Sequence, residues 1–421
     1  MQNTLSVPFQ SFLVQLKRTW DRSCKDEEGS SISVAELCVG LQYLMEKADE
    51  EREHRRIPRA NILRDPFVLI NLRHFCMFAH GAYSDTVTDI CSKTPLVESD
   101  IVQFQPVSKQ EQPAYFLAVD HFTKNIVLSI CGTKSFQDVL TDVTVETTEF
   151  LDGYGPKGMV AAVYWLQSQV MFTIIDETSK YPSYGLVFVG HSLGGAVATL
   201  MSLLVRKTYG IPVICYSYAP PPCVCSSFVP LTKEFGVITV ILDTDLIPRF
   251  NPKSLDLLVV ELRTLDWQQV YFRKSELHSK LFGVAVNYLG EETTNQLSQQ
   301  ISNYLRKGLR KGSQQVLELG KNTLLSKLGD DEKIKNISKW QKRVTDISRS
   351  YWYHCELSTK EMQPLQLAGN IWHIQREGNQ YFGVQSDQGE YWNKIEPSRQ
   401  MLQDHRISQI EWALQHMQLE D

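Results

Sequence analysis

Apolar and polar positions alternate in blocks along most of this chain. Before residue 75 the period is helical: Phe9, Phe12, Leu13, Leu16 and Trp20 share one face, with Lys17 and Arg18 off it. Such a face predicts a helix docked on the core, and secondarily a lipid-surface anchor, because amphipathicity alone does not separate the two. The charged run "EKADEEREHRR" follows as a solvated helix end or linker. From about residue 68 to 250 the short apolar runs "YFLAVD", "NIVLSI", "GLVFVG", "PVICYSYA" and "GVITVILD" alternate with the helical "MVAAVYWLQSQVMFTII" and "AVATLMSLLVRK". Alternation of this kind predicts an α/β fold with a mainly parallel sheet covered by helices.

The run "LVFVGHSLGGAVATL", Leu186 to Leu200, is apolar enough to raise the question of a membrane span. A span needs about 20 apolar residues, and Tyr184 to Val205 has that length without a charge. Gly185, Gly190, Gly194 and Gly195 interrupt it, each costing about 1 kcal/mol against alanine in a helix. Two buried elements fit better: a β-branched strand over 185–189 and a helix over 196–205.

Between about residues 266 and 360 the pattern changes. Thr293 to Val316 carries Arg306, Lys307, Arg310 and Lys311 without an acid, and Leu297, Ile301, Tyr304, Leu305 and Leu309 recur at helical spacing. A basic amphipathic helix of this composition suits a membrane-contacting or lid element and suits a solvated surface hairpin equally well. Strand character resumes in "LAGNIWHIQ" and "YFGVQSD", and "QMLQDHRISQIEWALQHMQ" is expected to close the chain with a helix. The expected organisation is an N-terminal helical segment (1–65), a core (66–265), a helical insertion (266–360) and a returning part of the core (361–421).

Composition narrows the function classes. A 421-residue chain with 43% hydrophobic residues supports a sizeable core. Its net charge of -5 gives no global attraction to nucleic acid. Nine cysteines without a repeated spacing fit reduced thiols in a cytoplasmic protein better than a disulfide framework. The N-terminus lacks the basic, apolar and small-residue segments of a secretory signal.

The chemistry-bearing residues centre on Gly190-His191-Ser192-Leu193-Gly194, a G-x-S-x-G motif between a predicted strand and a predicted helix. A serine at so sharp a turn projects its hydroxyl clear of the sheet only if the residues two before and two after it are nearly free of side chain. Ser192 is therefore the candidate nucleophile, with Gly190 and Gly194 shaping the elbow. His191 points away from it on such a turn and is expected to be a packed or hydrogen-bonded neighbour. In this fold the acid and then the base follow the serine in the chain. Asp243 and Asp245 end the strand "VITVILD" and either could orient an imidazole, while His278, His354, His373, His405 and His416 are the later histidines. Loop placement favours His405 without excluding the others. An oxyanion hole needs an N–H after the nucleophile, at Leu193, and one from a loop after an earlier strand, where Cys131-Gly132-Thr133 is available. Gly153-Tyr154-Gly155-Pro156-Lys157-Gly158 matches the dinucleotide fingerprint G-x-G-x-x-G but follows no apolar strand, and Cys223-Val224-Cys225 lacks a second ligand pair for zinc. No metal or organic cofactor is expected.

Together these pieces resemble the class 3 lipases, and among them the sn-1-specific diacylglycerol lipases. "CGTKSFQDVLTDV" is similar to that family's oxyanion segment, "KGMVAAVYWLQ" to the following helix, and "GHSLGGAVA" to its elbow. "YSYAPPP", "DTDLIPRF" and "MLQDH" are similar to its next turn, its acid segment and its histidine segment. The resemblance implies an α/β-hydrolase fold with Ser192 as nucleophile, Asp245 rather than Asp243 as acid, His405 as base, and Thr133 in the oxyanion hole. It departs from the family at Cys131, where arginine is usual, and at Pro156, where histidine is usual. The transmembrane helices of the animal enzymes have no counterpart, which implies a soluble or peripheral form reaching lipid through elements such as 293–316. The implied activity is hydrolysis of an acyl ester of diacylglycerol at a membrane surface, giving monoacylglycerol and a fatty acid. A phospholipase A1 or general carboxylesterase is the alternative within enzymes, and a catalytically silent lipid-binding protein the alternative outside them.

Overall fold

A computed structural model describes residues 7–23, 32, 34–54, 57, 61–133, 146–266, 270, 365–387 and 389–419. The chain divides into two compact units, Ser6–Arg263 with Lys360–Asp421, and Met1–Leu5 with Thr264–Thr359. The basic segment 293–316 and His278 and His354 lie outside the described residues, and the fold below is that of the first unit.

In chain order the helices are α1 (Val7–Ser23), α2 (Val34–Glu53), α3 (Pro66–Gly81), α4 (Val87–Lys93), α5 (Lys157–Lys180), α6 (Leu193–Tyr209), α7 (Phe228–Glu234), α8 (Pro252–Arg263) and α9 (Ile407–Gln415). The strands are β1 (Ile101–Gln105), β2 (Tyr115–Asp120), β3 (Asn125–Ile130), β4 (Thr147–Phe150), β5 (Gly153–Pro156), β6 (Gly185–His191), β7 (Ile214–Tyr218), β8 (Val237–Leu242), β9 (Asn370–Glu377) and β10 (Gln380–Ser386). An eight-stranded sheet runs β1-β2-β3-β6-β7-β8-β9-β10. Its centre, from β3 to β9, is parallel, and antiparallel pairs close both edges. This is the mostly parallel, helix-flanked sheet of the α/β-hydrolase fold.

The central strands are apolar throughout because both faces are covered. Leu186 and Phe188 of β6 pack with Ile126 and Leu128 of β3 beneath α5 and α6. Val187 and Val189 point the other way, into a core shared with Leu72, Phe75 and Ala79 of α3 and Ile410 and Ala413 of α9. Helix α3 starts where Asp65 accepts a hydrogen bond from the Phe67 N–H (2.8 Å), with proline at the first helical position. Among the described residues one helix, α5, is long and apolar enough to cross a membrane. Its Met159, Val163, Leu166, Val170 and Ile174 are buried in the core beside α6.

The N-terminal amphipathic face is also covered. Phe12, Leu13, Leu16 and Trp20 are buried, α1 packs on α8, the Phe12 ring meets Phe250 edge-on at 6.5 Å, and Arg22 pairs with Asp256 at 2.8 Å. That face is spent on the protein itself, as the docked reading expects.

Candidate active site

Strand β6 delivers the chain to Ser192, whose N–H is fixed by the Tyr218 carbonyl at the end of β7 (2.8 Å). Ser192 has φ 58° and ψ -129°, a conformation that costs a non-glycine residue about 1–3 kcal/mol. The neighbouring glycines make the turn possible. A Cβ at Gly190 would lie 2.3 Å from the Gly194 carbonyl, and one at Gly194 would lie 2.3 Å from the Ile130 carbonyl oxygen. The start of α6 is thereby pressed against both β6 and the end of β3.

Two loops at the same edge of the sheet bring the other groups. After β8, the chain places Asp245 fully buried, with its Oδ1 accepting from the Ile247 N–H at 3.0 Å. After β10, turns before α9 carry His405. Its Nδ1 lies 3.0 and 3.1 Å from the two Asp245 oxygens, and its Nε2 lies 2.9 Å from Ser192 Oγ. A carboxylate only accepts, so Nδ1 carries the proton and the Nε2 lone pair faces the serine hydroxyl. Such an arrangement can take a proton from Ser192 and hold the resulting imidazolium.

The competing residues fall elsewhere. The Asp243 carboxylate faces Arg376 (3.4 Å) rather than His405. His373 is buried in β9 with Nε2 2.8 Å from the Asp243 carbonyl, and His416 sits at the exposed end of α9 with Nδ1 2.7 Å from the Trp412 carbonyl. Gly132, two residues beyond β3, lies against the elbow, where a Cβ on it would be 3.3 Å from Ser192 Cβ and 2.5 Å from the His191 carbonyl oxygen, and Thr133 follows it. Leu193 opens α6 on the other side of Ser192. Residues 134–145, the rest of the segment that the sequence suggests for an oxyanion hole, lie outside the described residues. The Gly153–Gly158 stretch forms β5, paired with β4, and the start of α5. Its setting is a two-stranded hairpin rather than a βαβ crossover. The described cysteines, Cys131, Cys223 and Cys225 among them, are free thiols, and no grouping among the described residues could hold a metal.

His191 bonds to the main chain of His405. Its Nε2 lies 2.7 Å from the His405 carbonyl oxygen, so that nitrogen donates, and its Nδ1 accepts from the Tyr83 hydroxyl at 2.8 Å. Burial, followed by the adjacent His405, holds the His191 imidazole well below the usual histidine range. Burial first, and then Cys131, holds the Tyr83 hydroxyl protonated against a hydrogen bond from the Gly132 main chain. The unfolded chain protonates His191 near pH 6.5 while the folded chain does not, so the unfolded state binds more protons below that pH. Stability is therefore lost as pH falls below about 6.5, with a limiting slope of about 1.4 kcal/mol per pH unit from this one group. Thermal unfolding followed from pH 7.5 to 5.5 should show a shallower decline in His191→Gln than in wild type. Parallel declines would contradict this assignment of His191.

Sequence comparison adds a second line of observation to that geometry. Residues 127–255 match the model of the family described as Lipase (class 3). This 129-residue segment, under a third of the chain, resembles the class 3 lipases. The chain is 30% identical over 193 residues to mouse diacylglycerol lipase-beta, covering 44% of this chain and 27% of that protein. It is 35% identical over 159 residues to human diacylglycerol lipase-alpha, covering 34% and 15% respectively. The crystal structure of a lipase from Rhizopus microsporus var. chinensis aligns at a TM-score of 0.42 and 18% identity, over 47% of this chain and 74% of that one. The matched segment holds the elbow, the Thr133 turn and Asp245, while His405 reaches them from 150 residues beyond its last matched position.

Proposed function

We propose that this chain is a serine ester hydrolase acting on acylglycerols, with Ser192 as nucleophile, His405 as general base and Asp245 as the acid that orients it. The observation carrying this is the continuous set of contacts from Ser192 Oγ to His405 Nε2 (2.9 Å) and from His405 Nδ1 to Asp245 (3.0 Å). In the reaction His405 takes the Ser192 proton as Oγ attacks the ester carbonyl. The N–H groups of Leu193 and Thr133 stabilise the tetrahedral oxyanion, each such donor being worth about 3 kcal/mol. His405 returns the proton to the departing alcohol, and an acyl-enzyme remains. Water, deprotonated by the same imidazole, releases the fatty acid and regenerates Ser192.

The substrate we assign is diacylglycerol cleaved at sn-1, giving monoacylglycerol and a free fatty acid, supported by the similarity to diacylglycerol lipases. The basic amphipathic sequence of 293–316 supports contact with an anionic membrane surface. Hydrolysis of diacylglycerol, phosphatidylcholine and a short soluble ester by the full chain, with product analysis, tests the assignment. Monoacylglycerol and fatty acid should be the dominant products. Faster release from phosphatidylcholine would replace the assignment with a phospholipase A1, and turnover confined to the short ester would replace it with a carboxylesterase.

A further inference from the structure

Beside the candidate triad, a second set of polar contacts ties the acid-bearing loop to the base-bearing loop. Thr244 precedes Asp245, and Asp404 precedes His405. Asp404 is fully buried. Its Oδ2 accepts from both the Thr244 N–H (3.1 Å) and the Thr244 hydroxyl (2.8 Å), and its Oδ1 pairs with Arg376 Nη2 on β9. The other arm of Arg376, Nη1, reaches Asp243 Oδ2 at 3.4 Å, and its Nε donates to the Tyr381 hydroxyl of β10 at 3.1 Å. Main-chain bonds reinforce the join: the Leu246 N–H donates to the Met401 carbonyl at 3.1 Å. Asp243 is itself held at φ 36°, with its carbonyl facing His373 Nε2 at 2.8 Å and accepting from Arg249 Nη2 at 3.2 Å.

Burial acts on the carboxylate of this arrangement, while Asp404 and Asp243 favour the charged form of Arg376. Burial pushes the Asp404 carboxyl up to about 6, against the pull of Arg376 and with Asp243 adding to the rise. A folded-state value above the unfolded one means that Asp404 favours folding most at low pH and loses that contribution as pH rises through about 6. At neutral pH its ionised form is held against desolvation by Thr244 and Arg376, and an apolar residue in the same place would leave those donors without this acceptor. What the carboxylate supplies is geometry. It accepts from a main-chain and a side-chain donor of one loop while anchored to the sheet through Arg376.

We propose that Asp404 is a positioning residue, which through Thr244 and Arg376 keeps Asp245 and His405 at bonding distance. The inference rests on the triad reading above. A misplacement of about 1 Å in a reacting group costs about 100-fold in rate. Asp404→Ala should therefore lower kcat on a short soluble ester about 100-fold, with KM within about twofold of wild type. Reaction of Ser192 with a fluorophosphonate should slow in parallel. Asp404→Asn keeps an acceptor for Thr244 and should recover about tenfold of that loss. Thr244→Val, which removes one donor and leaves the ion pair intact, should lower kcat about tenfold and serves as the test should the Asp404 variants fail to fold. The decisive readout is coupling: in an Asp245→Ala background, Asp404→Ala should cost no more than about twofold further.

The proposal is overturned if folded Asp404→Ala and Thr244→Val retain kcat within twofold of wild type. It is equally overturned if Asp404→Ala costs the same factor with and without Asp245. In either case activity that still depends on Ser192 and Asp245 leaves the triad standing. Activity unaffected by Ser192→Ala would remove both.

Discussion

Replacing His405 with alanine should lower kcat on a soluble ester about 10⁶-fold, and Asp245→Ala about 10⁴-fold. The asymmetry follows from the contacts. His405 is the group 2.9 Å from Ser192 Oγ, and among the described residues no other side chain is bonded to that oxygen to accept the proton. Asp245 acts through the imidazole, so its loss leaves a base that is present but free to take the wrong tautomer. The double variant Ser192→Ala/His405→Ala should be no slower than either single variant, because nucleophile and base act as one unit. Rates measured to that depth need enzyme at high concentration and a Ser192→Ala control from the same preparation. Multiplying losses in the double variant would mean that the two residues act independently, which the geometry does not allow.

The second large effect is on the elbow. Gly194→Val should abolish labelling of Ser192 and destabilise the fold by about 3 kcal/mol, at the upper end for overpacking. The added Cβ alone would sit 2.3 Å from the Ile130 carbonyl oxygen and 2.8 Å from the Gly132 nitrogen. Its neighbours are main-chain atoms of a central strand and of the Thr133 turn, which cannot rotate away as a side chain would. Denaturant unfolding of the variant measures the stability term, and a midpoint equal to wild type would show that the elbow packs differently. By contrast, Gly158→Ala, in the first turn of α5, meets nothing within 4 Å and should leave activity unchanged without lowering stability.

Much of this architecture is legible in the chain. The central strands announce themselves because burial on both faces demands unbroken apolar, β-branched runs such as "GLVFV" and "VITVIL", and the helices between them because their apolar stripes must cover the sheet. The edges are harder. Strand β1, "IVQFQ", alternates over five residues, and the β4–β5 hairpin carries Gly153 and Gly155 where strands are usually rich in side-chain contacts. The terminal helix begins only at Ile407, since Gln400 to Arg406 is spent on turns that aim His405 at the serine.

The candidate site divides in the same way. Ser192 is readable from local sterics, because its neighbours at two residues' distance must be glycines. Choosing Asp245 over Asp243, and His405 over His373, is not a local matter. Both aspartates follow the same strand, β8, and they differ in which partner the fold brings to them: Arg376 for one, His405 for the other. His191 and Asp404 are each adjacent to a triad member, yet their bonds to Tyr83 and Arg376 join residues far apart in the chain. No spacing rule foreshadows such pairs. Polar residues flanking a reactive one, as in "QDH" and "GHS", are the one local signal that could have prompted the search.

The central claim is that Ser192 is a nucleophile activated by His405 and Asp245. Its most direct test is to treat the full-length protein with a fluorophosphonate and locate the adduct by peptide mass spectrometry. The account predicts a single adduct on Ser192, formed in wild type, strongly slowed in His405→Ala and absent in Ser192→Ala. A wild-type protein that folds and yet forms no adduct at Ser192 would contradict it.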